Sequence, residues 1–223
     1  MIIKRLGVVD YAPALEAMRA YTAGRGADSE DQIWLLQHPP VYTLGQAGKP
    51  EHLLHNPTAI PLVHIDRGGQ ITYHGPGQPI AYLLFYLARR RLKVRELVQL
   101  MEQAIIDTLG HYGLVAERKN GAPGVYIDEA KIAALGLRVK NGCSYHGLAI
   151  NVDVDLAPFS GINPCGYEGL KTIRMRDFGV NASVEQVGEC LLAQLQRLLP
   201  ALDVAPAAQH RGVPAAQALF PSP

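Results

Sequence analysis

The chain has 223 residues and sets 21 Lys+Arg against 20 Asp+Glu, a formal net charge of +1. This balance removes the bulk electrostatic case for a nucleic-acid or anionic-membrane binder, while a hydrophobic content of 48% is ordinary for a globular chain long enough to bury a core. The longest apolar run, 80–87, is far short of the roughly 20 residues of a bilayer span; residues 1–5 lack a signal-peptide stretch, and three cysteines without CxxC spacing predict free thiols and a cytoplasmic setting.

In chain order, residues 2–9 predict a strand. Asp10 is placed to cap a helix reaching about residue 23, with Ala14, Leu15, Met18 and Tyr21 as its apolar positions. Strands follow over 32–37 and 41–44, separated by His38-Pro39-Pro40, and over 62–65, which leads into a glycine-rich turn. The apolar run 80–87 predicts a central strand covered on both faces. Residues 94–112 carry the clearest helical periodicity, and Gly113 fits the position just past its end. Three strands are expected over 114–118, 124–127 and 131–139. The last turns at Asn141-Gly142, a hairpin signal, into 143–152. Ser183 with Gln186 predicts a capping box for a helix ending near residue 198. Residues 1–200 are therefore expected to form one domain of α+β or mixed α/β class, and 201–223, rich in Ala, Pro and Gln, a flexible or loosely docked tail.

Cys165 stands out because it sits in Gly161-Ile162-Asn163-Pro164-Cys165-Gly166, a loop sequence without apolar periodicity. A structural cysteine behaves as a small hydrophobe within a strand or helix, whereas one on a Gly/Pro loop has its sulfur near a cleft where it reacts. Cys143 and Cys190 read as structural. Lys131 opens the 131–139 strand, and alternation puts it on one face with Ala133, Leu135, Leu137 and Val139. Two readings fit it: a desolvated lysine poised for chemistry, or a strand-end lysine snorkelling to water.

The segment Arg67-Gly68-Gly69-Gln70-Ile71-Thr72-Tyr73-His74-Gly75-Pro76-Gly77-Gln78 combines glycines that let a ligand approach the backbone with a dense set of polar donors. It matches neither GxxxxGK[ST] nor GxGxxG. Gly147, inside the 143–152 strand, marks a bulge or a place where a ligand lies against bare backbone. His52 and His55 share a helical spacing, but no further ligand accompanies them, so no metal site is assigned.

These stretches, with Gly124-Val125-Tyr126-Ile127, Lys131 to Val139 and His146-Gly147-Leu148-Ala149-Ile150-Asn151, occur in the order that marks the lipoyl(octanoyl) transferase family, which the chain resembles over about residues 30–180. The resemblance implies an α+β fold of the biotin/lipoate protein ligase catalytic-domain type, a mixed sheet flanked by helices. It implies octanoyl transfer from acyl carrier protein to a lysine on lipoyl domains of 2-oxoacid dehydrogenase complexes or the glycine cleavage H protein. Cys165 matches the acyl-thioester residue and Lys131 its partner. Arg67, Gly68, Gly69, Gln70, Ile71, Thr72, Tyr73 and His74, with Ala134, Leu135, Gly136, Gly147, Leu148 and Ala149, match the acyl-pocket segments. Ala134 stands where some relatives carry a hydroxyl residue, which leaves only backbone contacts there. No cofactor and no metal are implied, and no nucleic-acid or membrane partner. The alternatives are an ATP-dependent lipoate or biotin ligase on the same fold, a thiol acyl hydrolase using His74 or His146, and a carrier-binding module without catalysis.

Overall fold

All five residues of Ile80–Leu84 are buried, as a strand covered on both faces requires, and the rest of the fold is arranged about them. The computed structural model describes residues 1–26, 28–164 and 169–200. In chain order these form β1 (Ile2–Val8), α1 (Tyr11–Gly24), β2 (Gln32–Gln37), β3 (Val41–Leu44), β4 (Leu62–His64), β5 (Ile71–His74), β6 (Ile80–Leu84), α2 (Val94–His111), β7 (Glu117–Lys119), β8 (Ala122–Ile127), β9 (Ala130–Lys140), β10 (Cys143–Ile150) and α3 (Val184–Leu198). The expected 201–223 tail lies outside the described residues.

Seven strands make one mixed sheet in the order β1-β2-β6-β10-β9-β8-β7, parallel only between β1 and β2. A second sheet, β4-β3-β5, pairs β3 with β4 in parallel and with β5 in antiparallel. Helices α2 and α3 cover one face of the large sheet, where Leu97, Met101, Ile105, Leu191 and Leu195 have no exposed surface. Helix α1 covers the other face, with Leu15 and Met18 packed among Trp34, Leu36, Tyr82 and Tyr145. The small sheet has its own cluster of Tyr42, Leu44, Ile71 and Tyr73. Burial of this kind contributes about 25 cal/mol per Å² of apolar surface, and it is the helical stripe of each helix that delivers it.

Local chemistry sets most boundaries. Asn141 and Gly142 adopt φ of 51° and 73°, the two left-handed residues of the tight turn that matches strand twist. Ser183 accepts from the Gln186 amide while Gln186 Oε1 accepts from the Ser183 amide, starting α3. Asp10 occupies the position before α1, yet its side chain makes no capping bond.

Four expectations are corrected. Strand β6 ends at Leu84, because the Phe85 amide donates to the Ser144 hydroxyl in place of a strand carbonyl; pairing with β10 resumes in the same register at the Tyr86–Cys143 bridge, where the Leu87 amide donates to the Gly142 carbonyl. Strand β7 begins only at Glu117. Part of the glycine-rich turn is the strand β5, whose residues alternate between buried Ile71 and Tyr73 and half-buried Thr72 and His74. Gly147 is not at a bulge: the β9–β10 register runs unbroken through Gly147 opposite Gly136. Its lack of a side chain answers a close approach, since a β-carbon there would stand 1.9 Å from the Ala81 carbonyl oxygen.

Candidate active site

Between the two sheets lies a partly open cavity, with about 550 Å³ of empty space when the solvent at its mouth is counted. β5 supplies Ile71, Thr72 and His74 to it; β9 supplies Lys131, Ala134, Leu135 and Gly136. Facing them, β10 gives His146, Gly147, Leu148 and Ala149, and α1 and β6 close the wall with Tyr11, Ile80 and Tyr82. The lining is mostly apolar with a few polar groups, the usual make-up of a small-molecule site.

Of the residues singled out by sequence, Arg67, Gly69, Gln70, Ile71, Thr72, His74, Ala134, Leu135, Gly136, Gly147, Leu148 and Ala149 line this cavity together with Lys131. Gly68 does not; its amide donates to the Leu137 carbonyl at 2.9 Å and ties the glycine segment to β9. Tyr73 turns into the small-sheet core and lines a second, smaller cavity and a separate one beside Tyr42, not the main cavity. Tyr11, Ile80, Tyr82 and His146 were not assigned to the site by sequence. Three of them sit on elements whose pattern reports only burial, while His146 stands immediately beside the Gly147 motif.

Lys131 is buried and does not snorkel to water. Its amine donates to the Pro123 carbonyl at 2.8 Å and lies 5.5 Å from the centre of the Tyr126 ring. The face it was assigned is also corrected. Val125 pairs with Ala133, but its neighbour Tyr126 pairs with Lys131, so Ile132 is an extra residue on β9. Such a bulge re-aims the side chains on either side of it. Ala133 therefore joins the core under the helices, while Lys131 shares the cavity with Ala134 and Gly136.

The second cavity adjoins the first and shares Thr72, His74, Lys131, Ala134 and Ala149 with it. Pro164, Phe159 and Thr172 line its other side. The same three residues line a third, outer cavity with Leu170 and Lys171. Lys131 thus stands where an apolar slot meets a passage outward. Pro164 immediately precedes Cys165 in sequence; Cys165 itself, like the amides of Cys165 and Gly166, lies outside the described residues.

Most polar groups in the wall are held by hydrogen bonds, although Gln70 Oε1 is buried without a partner among the described residues. Arg67 donates to the carbonyl and hydroxyl of Thr43 at 2.9 and 2.8 Å and to the Gly68 carbonyl at 2.9 Å. His74 Nδ1 donates to Gln78 Oε1, Gln78 donates to Asn151, and Asn151 donates to the Ile173 carbonyl. Burial, with repulsion from His38, pushes the His74 pKa down to about 3. His38 donates from Nδ1 to the Val9 carbonyl and accepts at Nε2 from the Tyr82 hydroxyl, each at 2.6 Å. Burial lowers its pKa to about 4. Both rings are therefore neutral at pH 7. His146 adopts φ of 61° and contacts Asp66, which also accepts from Tyr145. The His146 hydrogen bond, ahead of that from Tyr145, holds the Asp66 carboxyl well below the usual carboxylate range.

Among the described residues, no cluster of three or more His, Cys, Asp or Glu is arranged to hold a metal ion, and no helix is long and apolar enough to cross a membrane.

The arrangement of sheets is shared with solved lipoate protein ligases. A lipoate-protein ligase A bound with ATP superposes with a TM-score of 0.74 at 17% identity, covering 88% of this chain and 84% of that one. A bi-partite lipoate protein ligase from Thermoplasma acidophilum gives 0.72 at 18% identity, covering 89% and 84%. The fold is thus of the lipoate ligase class. The family model described as the lipoyl protein ligase A/B catalytic domain matches residues 10–196. The octanoyltransferase of Azoarcus sp. (strain BH72) is 74% identical over 90% of this chain and 88% of its own length; that of Dechloromonas aromatica (strain RCB) is 60% identical over 91% and 97%. The chain belongs to the octanoyltransferase branch of the lipoyl protein ligase A/B family and is an acyltransferase.

Proposed function

We propose that the chain takes an octanoyl group from octanoyl-acyl carrier protein, holds it as a thioester on Cys165, and passes it to a lysine of a lipoyl domain. The observation that carries this reading is Lys131, buried where the apolar cavity meets the outward passage lined by Pro164. An apolar slot suits an eight-carbon chain, each buried methylene contributing about 0.8 kcal/mol.

A free cysteine has a pKa of about 8.5, so little of it is thiolate at neutral pH. A neighbouring ammonium stabilises the thiolate, which is the role we assign to Lys131 in the first step. The Cys165 sulfur adds to the thioester carbonyl, and the carrier's sulfur leaves with the electron pair and takes a proton from the Lys131 ammonium, which leaves that amine neutral for the second step. One thioester replaces another, so this step is near thermoneutral. In the second step the neutral amine of the acceptor lysine adds to the acyl-enzyme. Its excess proton passes to Lys131 in its neutral form, and Cys165 leaves as thiolate. Amide formation from a thioester is downhill and requires no ATP. Arg67, Gly69 to Thr72, His74, Ala134 to Gly136 and Gly147 to Ala149 line the acyl chain in this scheme, with acceptors drawn from 2-oxoacid dehydrogenase lipoyl domains or the glycine cleavage H protein.

The test is octanoyl transfer from octanoyl carrier protein to an apo lipoyl domain with ATP omitted, followed by intact mass of the enzyme. The expected results are transfer without ATP, an octanoyl adduct on the wild type, and neither adduct nor transfer with Cys165→Ala. A strict need for ATP would return the reading to a ligase. An equal adduct on Cys165→Ala would remove Cys165 as the carrier of the acyl group.

A further inference from the structure

We propose that Thr172 is a further catalytic residue of the transfer, its hydroxyl donating a hydrogen bond to the acyl carbonyl oxygen as that oxygen becomes negative. The inference rests on the thioester transfer proposed above.

Thr172 Oγ1 is buried and has no hydrogen-bond partner among the described residues. Other buried hydroxyls of the chain are satisfied: Thr108 donates to the Ala104 carbonyl, Ser144 donates to the Leu83 carbonyl, and Thr43 accepts from Arg67. A buried hydroxyl without a partner is costly, so a native exception calls for a ligand. Thr172 borders the passage in question, lining both the cavity it shares with Lys131 and the third cavity beside it.

Its backbone is fixed beside Lys131. The Lys131 amide donates to the Lys171 carbonyl at 2.8 Å, and the Ile173 amide donates to the Lys131 carbonyl at 3.0 Å. These two bonds make a one-residue parallel bridge between Lys131 and Thr172. Asn151 holds the next carbonyl, that of Ile173, at 2.9 Å. A donor carried on backbone pinned in this way is already oriented before substrate arrives, the condition under which an oxyanion donor is most effective.

The electron count is simple. A nucleophile, thiolate in the first step and amine in the second, adds to the carbonyl carbon, and the C=O π pair moves onto oxygen. Thr172 O–H donates to that oxygen and keeps its proton. Collapse restores the C=O bond and expels the leaving thiolate.

Two variants test the proposal. Thr172→Val keeps the shape and removes the hydroxyl; Thr172→Ser restores it. Overall transfer to the lipoyl domain is measured for both, with thermal unfolding. For Thr172→Val we expect kcat to fall about 100-fold, as when an oxyanion donor is lost. The KM for the carrier should stay within about threefold, with Tm unchanged or raised because an unpaired hydroxyl has gone. Thr172→Ser should recover kcat to within about tenfold of wild type. A Val variant with wild-type kcat, or a Ser variant no faster than Val, overturns the assignment. Intact mass of the wild-type enzyme separates this from the parent reading. An adduct on the wild type without hydroxyl dependence removes Thr172 alone. Hydroxyl dependence without an adduct removes the covalent intermediate and leaves Thr172 in place.

Discussion

The side chain of Lys131 lies across the backbone of Gly124: a β-carbon at Gly124 would stand 2.5 Å from Lys131 Cε and 2.9 Å from Nζ. Glycine is required there twice over, because φ at that residue is also 140°. β8 therefore does more than extend the sheet. Its bare Cα and the Pro123 carbonyl beside it form the seat in which the amine rests.

Gly124→Ala should accordingly displace the amine and strain the strand. A misplacement of about 1 Å at a reacting group lowers rates by about 100-fold, so kcat for octanoyl transfer should drop by that order, measured well below the unfolding temperature. Stability should fall by about 1–3 kcal/mol, read by thermal or denaturant unfolding. A variant that is destabilised yet keeps wild-type kcat would show that the glycine serves the strand and not the lysine.

The placement of that lysine also marks the limit of sequence reasoning. Strict alternation put Lys131 with Ala133, Leu135, Leu137 and Val139, but one extra residue, Ile132, reverses the parity at the start of β9. Nothing in the local residue pattern announces that bulge, since Ile132 and Ala133 are both apolar. Strand β5 was hidden differently: Ile71 and Tyr73 alternate with Thr72 and His74, but flanking glycines mask a period of only two cycles. Arg89-Arg90-Arg91 reads as a short basic run, whereas Arg89 and Arg90 both bind Asp31, buried nearly 60 residues away in sequence. Such a pair is set by tertiary contact and has no local signature. The long elements were legible because their signals are repeated: apolar positions at helical spacing along α2, five consecutive buried residues in β6, and a two-residue turn at Asn141-Gly142. The cavity was partly legible because glycines and polar donors cluster in sequence; Tyr11 and Tyr82 come from elements whose pattern serves the core equally well.

Two neutral histidines, His74 in the wall and His38 packed behind it, predict how stability responds to acid. His74 and His38 have folded-state pKa values of about 3 and about 4, below the unfolded value near 6.5. Between those limits the unfolded chain binds more protons than the folded one, so stability is greatest above about pH 6.5 and declines as pH falls toward 4. Each ring contributes a slope of up to about 1.4 kcal/mol per pH unit. The Asp66 carboxyl, whose pKa is depressed, loses its contribution lower still, as pH falls below the ordinary carboxylate range. Denaturant midpoints at pH 7.5 and pH 5 should therefore separate clearly for the wild type. They should separate less for His38→Gln, in which the titrating ring is gone. An unchanged pH dependence in that variant would mean that His38 is not held neutral by burial.

Two glycines facing each other across β9 and β10 make the sharpest contrast. Gly147 and Gly136 are paired in register, and both line the main cavity. At Gly147 a β-carbon meets the Ala81 carbonyl oxygen at 1.9 Å, backbone that cannot retreat without opening the β6–β10 ladder. Gly147→Ala should therefore fail to fold, or lose about 3 kcal/mol or more. At Gly136 the nearest atoms are Arg67 Cδ and the Gly68 carbonyl oxygen, both at 3.1 Å. A shift of a few tenths of an ångström, shared between the Arg67 side chain and the Gly68 carbonyl, accommodates a methyl group there. Gly136→Ala should therefore fold, with its added carbon projecting into the cavity and shortening or narrowing it. If that cavity holds the acyl chain, preference should move toward shorter chains, because a methylene gained or lost in an apolar pocket changes selectivity by about 10-fold or more. The measurement is kcat/KM for octanoyl and hexanoyl carrier protein on wild type and Gly136→Ala. A folded variant with the wild-type ratio would place the acyl chain elsewhere.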